Sequence, residues 1–277
     1  MPRNTEPATR LEIDRAYDNS AAFPDVPEWR ERWRQRSRAV AVTAPARLDI
    51  AYGPAPLQRL DVFPCARSDA ATAVFVHGGF WSRNSKETFR YLVRGIHAAG
   101  LNAIFVGHTL APNARVDDIV AEVRLAAQWS FTHLDELRLA ARPLIMIGWS
   151  SGAQLAAMTM GADCVAAGIG ISGVYDLEPL RQASINDVLK LDRAEAQRNN
   201  ATFSLPARSG PFAVAYGARE LPAFRTQSER FYEARTAAGL PGTLLALPGH
   251  HHHSVLDELY EPAGSLTRLL EGLAAPT

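Results

Sequence analysis

From residue 47 onward, short segments dense in β-branched and aromatic residues alternate with stretches of helical length. Eight segments read as strands: Arg47–Tyr52, Arg59–Phe63, Ala73–His77, Asn102–Val106, Leu144–Ile147, Val165–Ile171, Phe212–Tyr216 and Thr243–Leu247. Several, such as Leu144–Ile147, have no polar face at all. A strand of that kind must be covered on both sides, which is the condition of a parallel sheet flanked by helices. Helical stretches at 86–99, 116–129, 151–161, Phe224–Ala238 and Val255–Leu273 supply the cover. The pattern predicts a doubly wound α/β fold with a mostly parallel central sheet. With 277 residues, 47% of them hydrophobic and 21% charged, the chain suits one large domain over residues 1–277 better than two small ones.

Two regions depart from the alternation. Residues 11–45 form a helical N-terminal extension, within which Trp29 and Trp33 lie four apart and share a helix face while five arginines spread around the remainder. That reads as an anchored, solvated helix and not as a nucleic-acid arm, which would need its basic residues on one side of a basic chain. Residues 174–209 break into short apolar and polar pieces, with Asn199 and Asn200 adjacent and Pro206 and Pro211 near the exit. This segment is expected to be a small partial cap crossing the strand ends. Lysine plus arginine equals aspartate plus glutamate at 29 each, so no excess field draws in nucleic acid or an anionic membrane; a small neutral or mixed-charge ligand is the expected partner. A homodimer is compatible with this composition. The opening residues lack the apolar core of a signal peptide, and no apolar run approaches the roughly 18 residues needed to span a bilayer. A cytoplasmic location is therefore expected. Cys65 and Cys164 offer neither a disulfide framework nor CxxC spacing.

The chemistry is concentrated at predicted strand ends. Gly148-Trp149-Ser150-Ser151-Gly152 has the form GxSxG, follows a buried strand and opens a helix. A nucleophile elbow needs that strand, sharp turn and helix, with Ser150 as nucleophile. The glycines are required because the turn is strained and packs against neighbouring backbone. The competing reading is a glycine-rich turn with a capping serine. His77-Gly78-Gly79-Phe80-Trp81 ends another strand, where a Gly-Gly turn can aim the amides of Gly79 and Phe80 at a developing oxyanion. The amide of Ser151, at the positive end of its helix, is the third expected donor. His77 itself reads as a structural residue.

A serine hydroxyl needs a base, and in this fold acid and then histidine follow the serine in the chain. After Ser150 the only histidines are His250, His251, His252 and His253, just beyond the last strand, so the base comes from that run. Four adjacent side chains diverge too much for a single metal to use them all, and no metal or cofactor is expected. For the acid, Glu220 ends the strand Phe212–Tyr216, and Asp176, after Val165–Ile171, is its rival.

Taken together, these motifs resemble the bacterial and animal kynurenine formamidases, or arylformamidases, and their esterase relatives, which share the α/β-hydrolase fold. The resemblance runs from Tyr17-Asp18-Asn19 and the Trp29/Trp33 helix through Tyr52-Gly53, Gln58-Arg59-Leu60-Asp61, HGGFW and the elbow. It continues through Ile171-Ser172-Gly173-Val174-Tyr175-Asp176-Leu177, Phe224, Gln227-Ser228, Pro248-Gly249 and Leu256-Asp257-Glu258-Leu259. It implies His252 as the base, since His252-His253-Ser254-Val255 matches the pattern around the family's histidine, and it places the acid on Glu220. The family often has His and Ala around its serine, where this chain has Trp149 and Ser151. Phe80 stands for a tyrosine and Glu220 for an aspartate. Trp81, Trp149 and His253 are accordingly expected to form an aromatic, substrate-binding mouth. The implied activity is hydrolysis of an aryl formamide such as N-formylkynurenine through an acyl-enzyme, without a cofactor. A general short-chain carboxylesterase is the enzymatic alternative, and a ligand-binding protein that keeps the hydrolase fold without turnover is the alternative of another class.

Overall fold

In the computed structural model, residues 9–140 and 142–275 are described. Residues 1–8, on which part of the expectation of no leader segment rests, lie outside them. The Val-, Ile- and Phe-rich segments form β1 (Arg47–Ala51), β2 (Arg59–Phe63), β3 (Thr72–Val76), β4 (Asn102–Val106), β5 (Leu144–Trp149), β6 (Val165–Ile171), β7 (Phe212–Gly217) and β8 (Gly242–Leu247). They make one sheet in the order β1-β2-β4-β3-β5-β6-β7-β8. Strand β2 runs antiparallel to both of its neighbours, and the pairs from β4 through β8 are parallel. Strand β3 shows why the sheet is apolar on both faces: Val74 and Val76 enter one core layer, Ala73 and Phe75 the other, and all are buried. Each face must then be covered by helices, as the uniform apolarity of the strands requires.

Helices α1 (Arg10–Tyr17), α2 (Asn19–Ala22) and α3 (Val26–Thr43) precede the sheet. Interleaved with the strands are α4 (Val93–Ala98), α5 (Val116–Thr132), α6 (Ser151–Ala157), α7 (Asn186–Leu189), α8 (Arg193–Arg198) and α9 (Pro222–Ala237), and the chain closes with α10 (Asp257–Tyr260) and α11 (Ser265–Ala274). Among the described residues, no helix is long and apolar enough to cross a membrane.

Three predicted helices differ from expectation. The stretch 86–99 begins as a 3-10 helix over Lys86–Leu92 before α4. Here Ser37 of α3 intervenes: its hydroxyl donates to the Thr88 carbonyl at 2.8 Å and accepts from the Tyr91 amide at 3.1 Å, drawing those groups out of an α-helical ladder. Helix α6 stops at Ala157, short of residue 161. The predicted terminal helix is broken between α10 and α11, because Pro262 lacks an N–H and forces Glu261 into an extended conformation (φ −76°, ψ 132°).

The 174–209 excursion leaves the carboxyl end of β6 as a 3-10 turn (Pro179–Gln182) followed by α7 and α8. Asparagine side chains stitch it together: Asn200 donates to the Asp176 carboxylate at 2.6 Å, and Asn186 donates to the carbonyls of Arg181 and Leu191. The N-terminal helices are pinned across it. Arg10 of α1 pairs with Asp187, and Asp14 accepts from both the amide and the hydroxyl of Ser184. On α3, Trp33 is fully buried and Arg36 pairs with Asp257 at 2.8 Å.

Candidate active site

The elbow between β5 and α6 puts Ser150 at φ 57°, ψ −124°, a conformation that costs a non-glycine residue about 1–3 kcal/mol and survives only where the surroundings enforce it. The enforcement is steric and polar. A Cβ on Gly152 would stand 2.2 Å from the Val76 carbonyl oxygen, and one on Gly148 would stand 2.0 Å from the Gly152 carbonyl oxygen, so strand and helix close over the turn with only hydrogen between them. The Ser150 amide donates to the Ile171 carbonyl at 2.8 Å, tying the elbow to β6.

Ser150 Oγ lies 3.1 Å from His252 Nε2, and His252 Nδ1 lies 3.0 Å from Glu220 Oε2. All three residues are buried. An ionised carboxylate only accepts, so the imidazole proton sits on Nδ1 and the Nε2 lone pair faces the serine hydroxyl, the tautomer a general base requires. The other carboxylate oxygen of Glu220 accepts from the Ser172 hydroxyl and, at 2.7 Å, from the Gly217 amide. His252 is held from behind as well: the Trp149 indole N–H donates to its carbonyl at 2.9 Å, and Phe224 packs on the imidazole with ring centroids 4.3 Å apart. Asp176 is occupied elsewhere, accepting from the Glu178 amide at 3.0 Å and from Asn200.

The four consecutive histidines go to four different places. His250 lies against the Ser254 carbonyl and Glu258, and His251 stacks on Phe23 and meets Asp25 of the N-terminal segment at 3.2 Å. His252 reaches Ser150. His253 stacks on Trp33 with centroids 5.4 Å apart, and its Nδ1 is buried without a protein partner among the described residues. Burial, with His252 and Arg30 adding to it, pushes the His253 pKa down to about 2, so this ring is neutral at any physiological pH.

The HGGFW turn is built from left-handed backbone: Gly79 has φ 129°, Phe80 51° and Trp81 53°. The Gly78 carbonyl accepts from Asn84 Nδ2 at 2.9 Å and faces His77 Nδ1 at 3.0 Å. Because a trans peptide points its C=O and N–H in opposite directions, clamping that carbonyl fixes the direction of the Gly79 N–H. Among the described residues, the amides of Gly79 and Phe80 donate to no protein acceptor, and both residues line the cavity beside Ser150. Ser151 heads α6, where a backbone N–H has no partner within the helix. His77 is buried against His108, with ring centroids 4.5 Å apart, and burial pushes its pKa down to about 3. It serves the loop as a neutral clamp.

A cavity of about 580 Å³ opens onto Ser150, His252, Trp149 and His253. Trp81 does not reach it. The left-handed turn at Phe80 and Trp81 sends this indole into the core, where its N–H donates to Gln154 at 3.1 Å. The outer walls come from the two departures in the sequence. The excursion contributes Leu180, Ala183, Ser184 and Ile185, and the N-terminal helices contribute Asp14, Tyr17, Arg30, Trp33 and Arg34. Sequence reading missed Ser172, Asn84, Arg83 and these N-terminal residues. Arg30, Trp33 and Arg34 carry an i, i+3, i+4 spacing that gathers them on one side of a helix, with Arg30 neighbouring both, and that is the available signal.

A family model of the α/β-hydrolase fold matches residues 73–256. The chain is 30% identical to the kynurenine formamidase of Danio rerio over 254 residues, covering 85% of this chain and 83% of the relative. Among solved structures, a protein from Silicibacter sp. superposes with a TM-score of 0.85 at 24% identity, covering 94% of this chain and 98% of that one. A hyperthermophilic esterase from Pyrobaculum calidifontis superposes with a TM-score of 0.74 at 18% identity, covering 98% of this chain and all of that one. With the family model spanning residues 73–256 and a kynurenine formamidase 30% identical over 85% of the chain, the chain belongs to the α/β-hydrolases and, within them, to the family of the kynurenine formamidases.

Proposed function

We propose that the protein is a serine hydrolase that cleaves an aryl formamide such as N-formylkynurenine through an acyl-enzyme on Ser150. The observation that carries this reading is the unbroken relay from Ser150 Oγ to His252 Nε2 at 3.1 Å and from His252 Nδ1 to Glu220 Oε2 at 3.0 Å. In the first half-reaction Ser150 Oγ attacks the acyl carbon while its proton passes to His252 Nε2. The carbonyl π pair becomes an alkoxide that the amides of Gly79, Phe80 and Ser151 receive. Glu220 stabilises the imidazolium without taking its proton. Collapse of the alkoxide expels the amine or alcohol, which takes the proton from His252. In the second half-reaction a water loses its proton to His252, attacks the acyl carbon and releases the carboxylic acid, returning the proton to Ser150.

A short-chain carboxylesterase is the second reading, favoured by the apolar wall of Phe80, Trp149 and Ile185 beside the nucleophile. Steady-state hydrolysis of N-formylkynurenine beside a p-nitrophenyl ester series, with Ser150→Ala as the blank, separates the two. A kcat/KM for the formamide at least tenfold above that for the acetate ester is expected. Ester turnover without formamide turnover would move the assignment to the esterase, and full activity in Ser150→Ala would remove the serine mechanism.

A further inference from the structure

The same cavity carries a feature that the acyl-transfer chemistry does not use. Arg30 and Arg34 of α3 and Arg83 of the oxyanion turn all line it. Arg34 is paired with Glu31 at 2.8 Å. Among the described residues, Arg30 and Arg83 have no carboxylate within ion-pair distance: the Arg30 guanidinium reaches only the Ser20 hydroxyl at 3.3 Å, and that of Arg83 lies 5.7 Å from the Phe80 ring centroid. The carboxylates lining the cavity are otherwise engaged, Asp14 by the amide and hydroxyl of Ser184 and Asp18 by the amides of Ser20 and Ala21 that it caps. Desolvation, and then the charges of Arg83 and Arg34, lower the Arg30 pKa, with the charge of Asp18 opposing them.

We infer that Arg30 and Arg83 form an anion subsite that selects substrates bearing a carboxylate on the part remote from the scissile bond. The inference rests on the hydrolase reading for its chemistry and adds the residues that would recognise an acid group such as the one N-formylkynurenine carries. A carboxylate suits the pair because guanidinium groups donate in a planar fork, and two of them approaching from different segments, one on α3 and one on the oxyanion turn, bridge a single anion across the mouth. Both side chains are exposed, so their pull on an anion is open to screening by salt, and neither has an ion-pair partner among the described residues to give up.

The test compares 4-acetoxybenzoate with its neutral isostere 4-acetoxybenzamide, each rate normalised to its hydroxide-catalysed hydrolysis. The wild-type protein should prefer the carboxylate about tenfold in kcat/KM at low salt, mostly through KM, as charge-assisted hydrogen bonds to an anion predict. The preference should shrink from 20 to 500 mM NaCl and fall below one in Arg83→Glu. A normalised ratio near one, indifferent to salt and to Arg83→Glu, overturns the subsite while leaving the hydrolase reading intact. If neither these esters nor N-formylkynurenine is turned over in a Ser150-dependent way, the hydrolase reading fails instead. Calorimetric binding to Ser150→Ala then decides the subsite, with tighter binding of 4-acetoxybenzoate than of the amide supporting it and equal binding overturning it.

Discussion

Replacing Glu220 by glutamine exchanges one oxygen for an NH2 in a fully buried side chain, and the structure dictates which way the amide must lie. Oε1 accepts from the Ser172 hydroxyl and the Gly217 amide, whereas Oε2 accepts only from His252 Nδ1. The glutamine oxygen therefore takes the Oε1 place and its NH2 faces Nδ1. Two donors cannot share that contact, so the imidazole shifts its proton to Nε2 and presents N–H, not a lone pair, to Ser150. The base is then in the wrong tautomer, for which a loss of about 10³–10⁴ in kcat is expected, or roughly 4–5.5 kcal/mol of transition-state stabilisation. Since the Ser172 and Gly217 contacts persist, the Tm should stay within about 5 °C of the wild type. Ester hydrolysis followed in parallel with thermal unfolding tests both halves. A loss below tenfold in a folded Glu220→Gln protein would refute the argument that this carboxylate sets the tautomer. Asp176→Asn, in the rival position, should leave kcat within about threefold.

Asn84→Ala frees one side of the Gly78 carbonyl, so kcat should fall about tenfold with little change in KM; an unchanged kcat would show that the Gly79 amide does not depend on this clamp. Gly152→Ala forces a methyl against the Val76 carbonyl and should destabilise the protein by about 1–3 kcal/mol while abolishing labelling by a fluorophosphonate, whereas wild-type labelling and Tm would mean that the elbow can relax. Acid should weaken the fold from the neutral side: His253 and His77, with pKa values down to about 2 and about 3, stay neutral when folded but gain protons near pH 6.5 when unfolded. The unfolded chain binds more protons below pH 6.5, so stability is full above that value and falls by roughly 3 kcal/mol by pH 5 for the two together. A Tm that is flat between pH 6.5 and 5, or a slope unaltered in His253→Phe, would contradict this.

How much of the site could be read in the sequence follows from how local each signal is. The strand, turn and helix around Ser150 lie within a dozen residues, and the glycines that permit the turn are in the motif itself. The strand ends carrying Glu220 and His252 follow from counting elements, although the choice among four adjacent histidines needed the family pattern, because ring direction in a turn has no periodicity to read. Trp81 shows the limit within a motif: its neighbours predicted an aromatic mouth, and two residues in left-handed conformation send the indole into the core. Pro262 is the sequence signal for the break between α10 and α11, and the helical pattern on either side of it masks that signal. Ser172 orders the acid from the end of another strand, 48 residues away in the chain, and no local pattern encodes that.

The roof over Ser150 is made by residues that precede the first strand. Helices α1 to α3 carry no member of the Ser150, His252 and Glu220 relay, yet they supply Tyr17, Arg30, Trp33 and Arg34 to the chamber. Part of the chamber is thus written in a stretch of the gene separate from those that carry the relay. Substitutions at exposed positions of these helices, such as Arg30 and Arg34, can reshape the chamber without touching Ser150, His252 or Glu220, whereas Trp33, packed on Trp149 and His253, ties the two parts together.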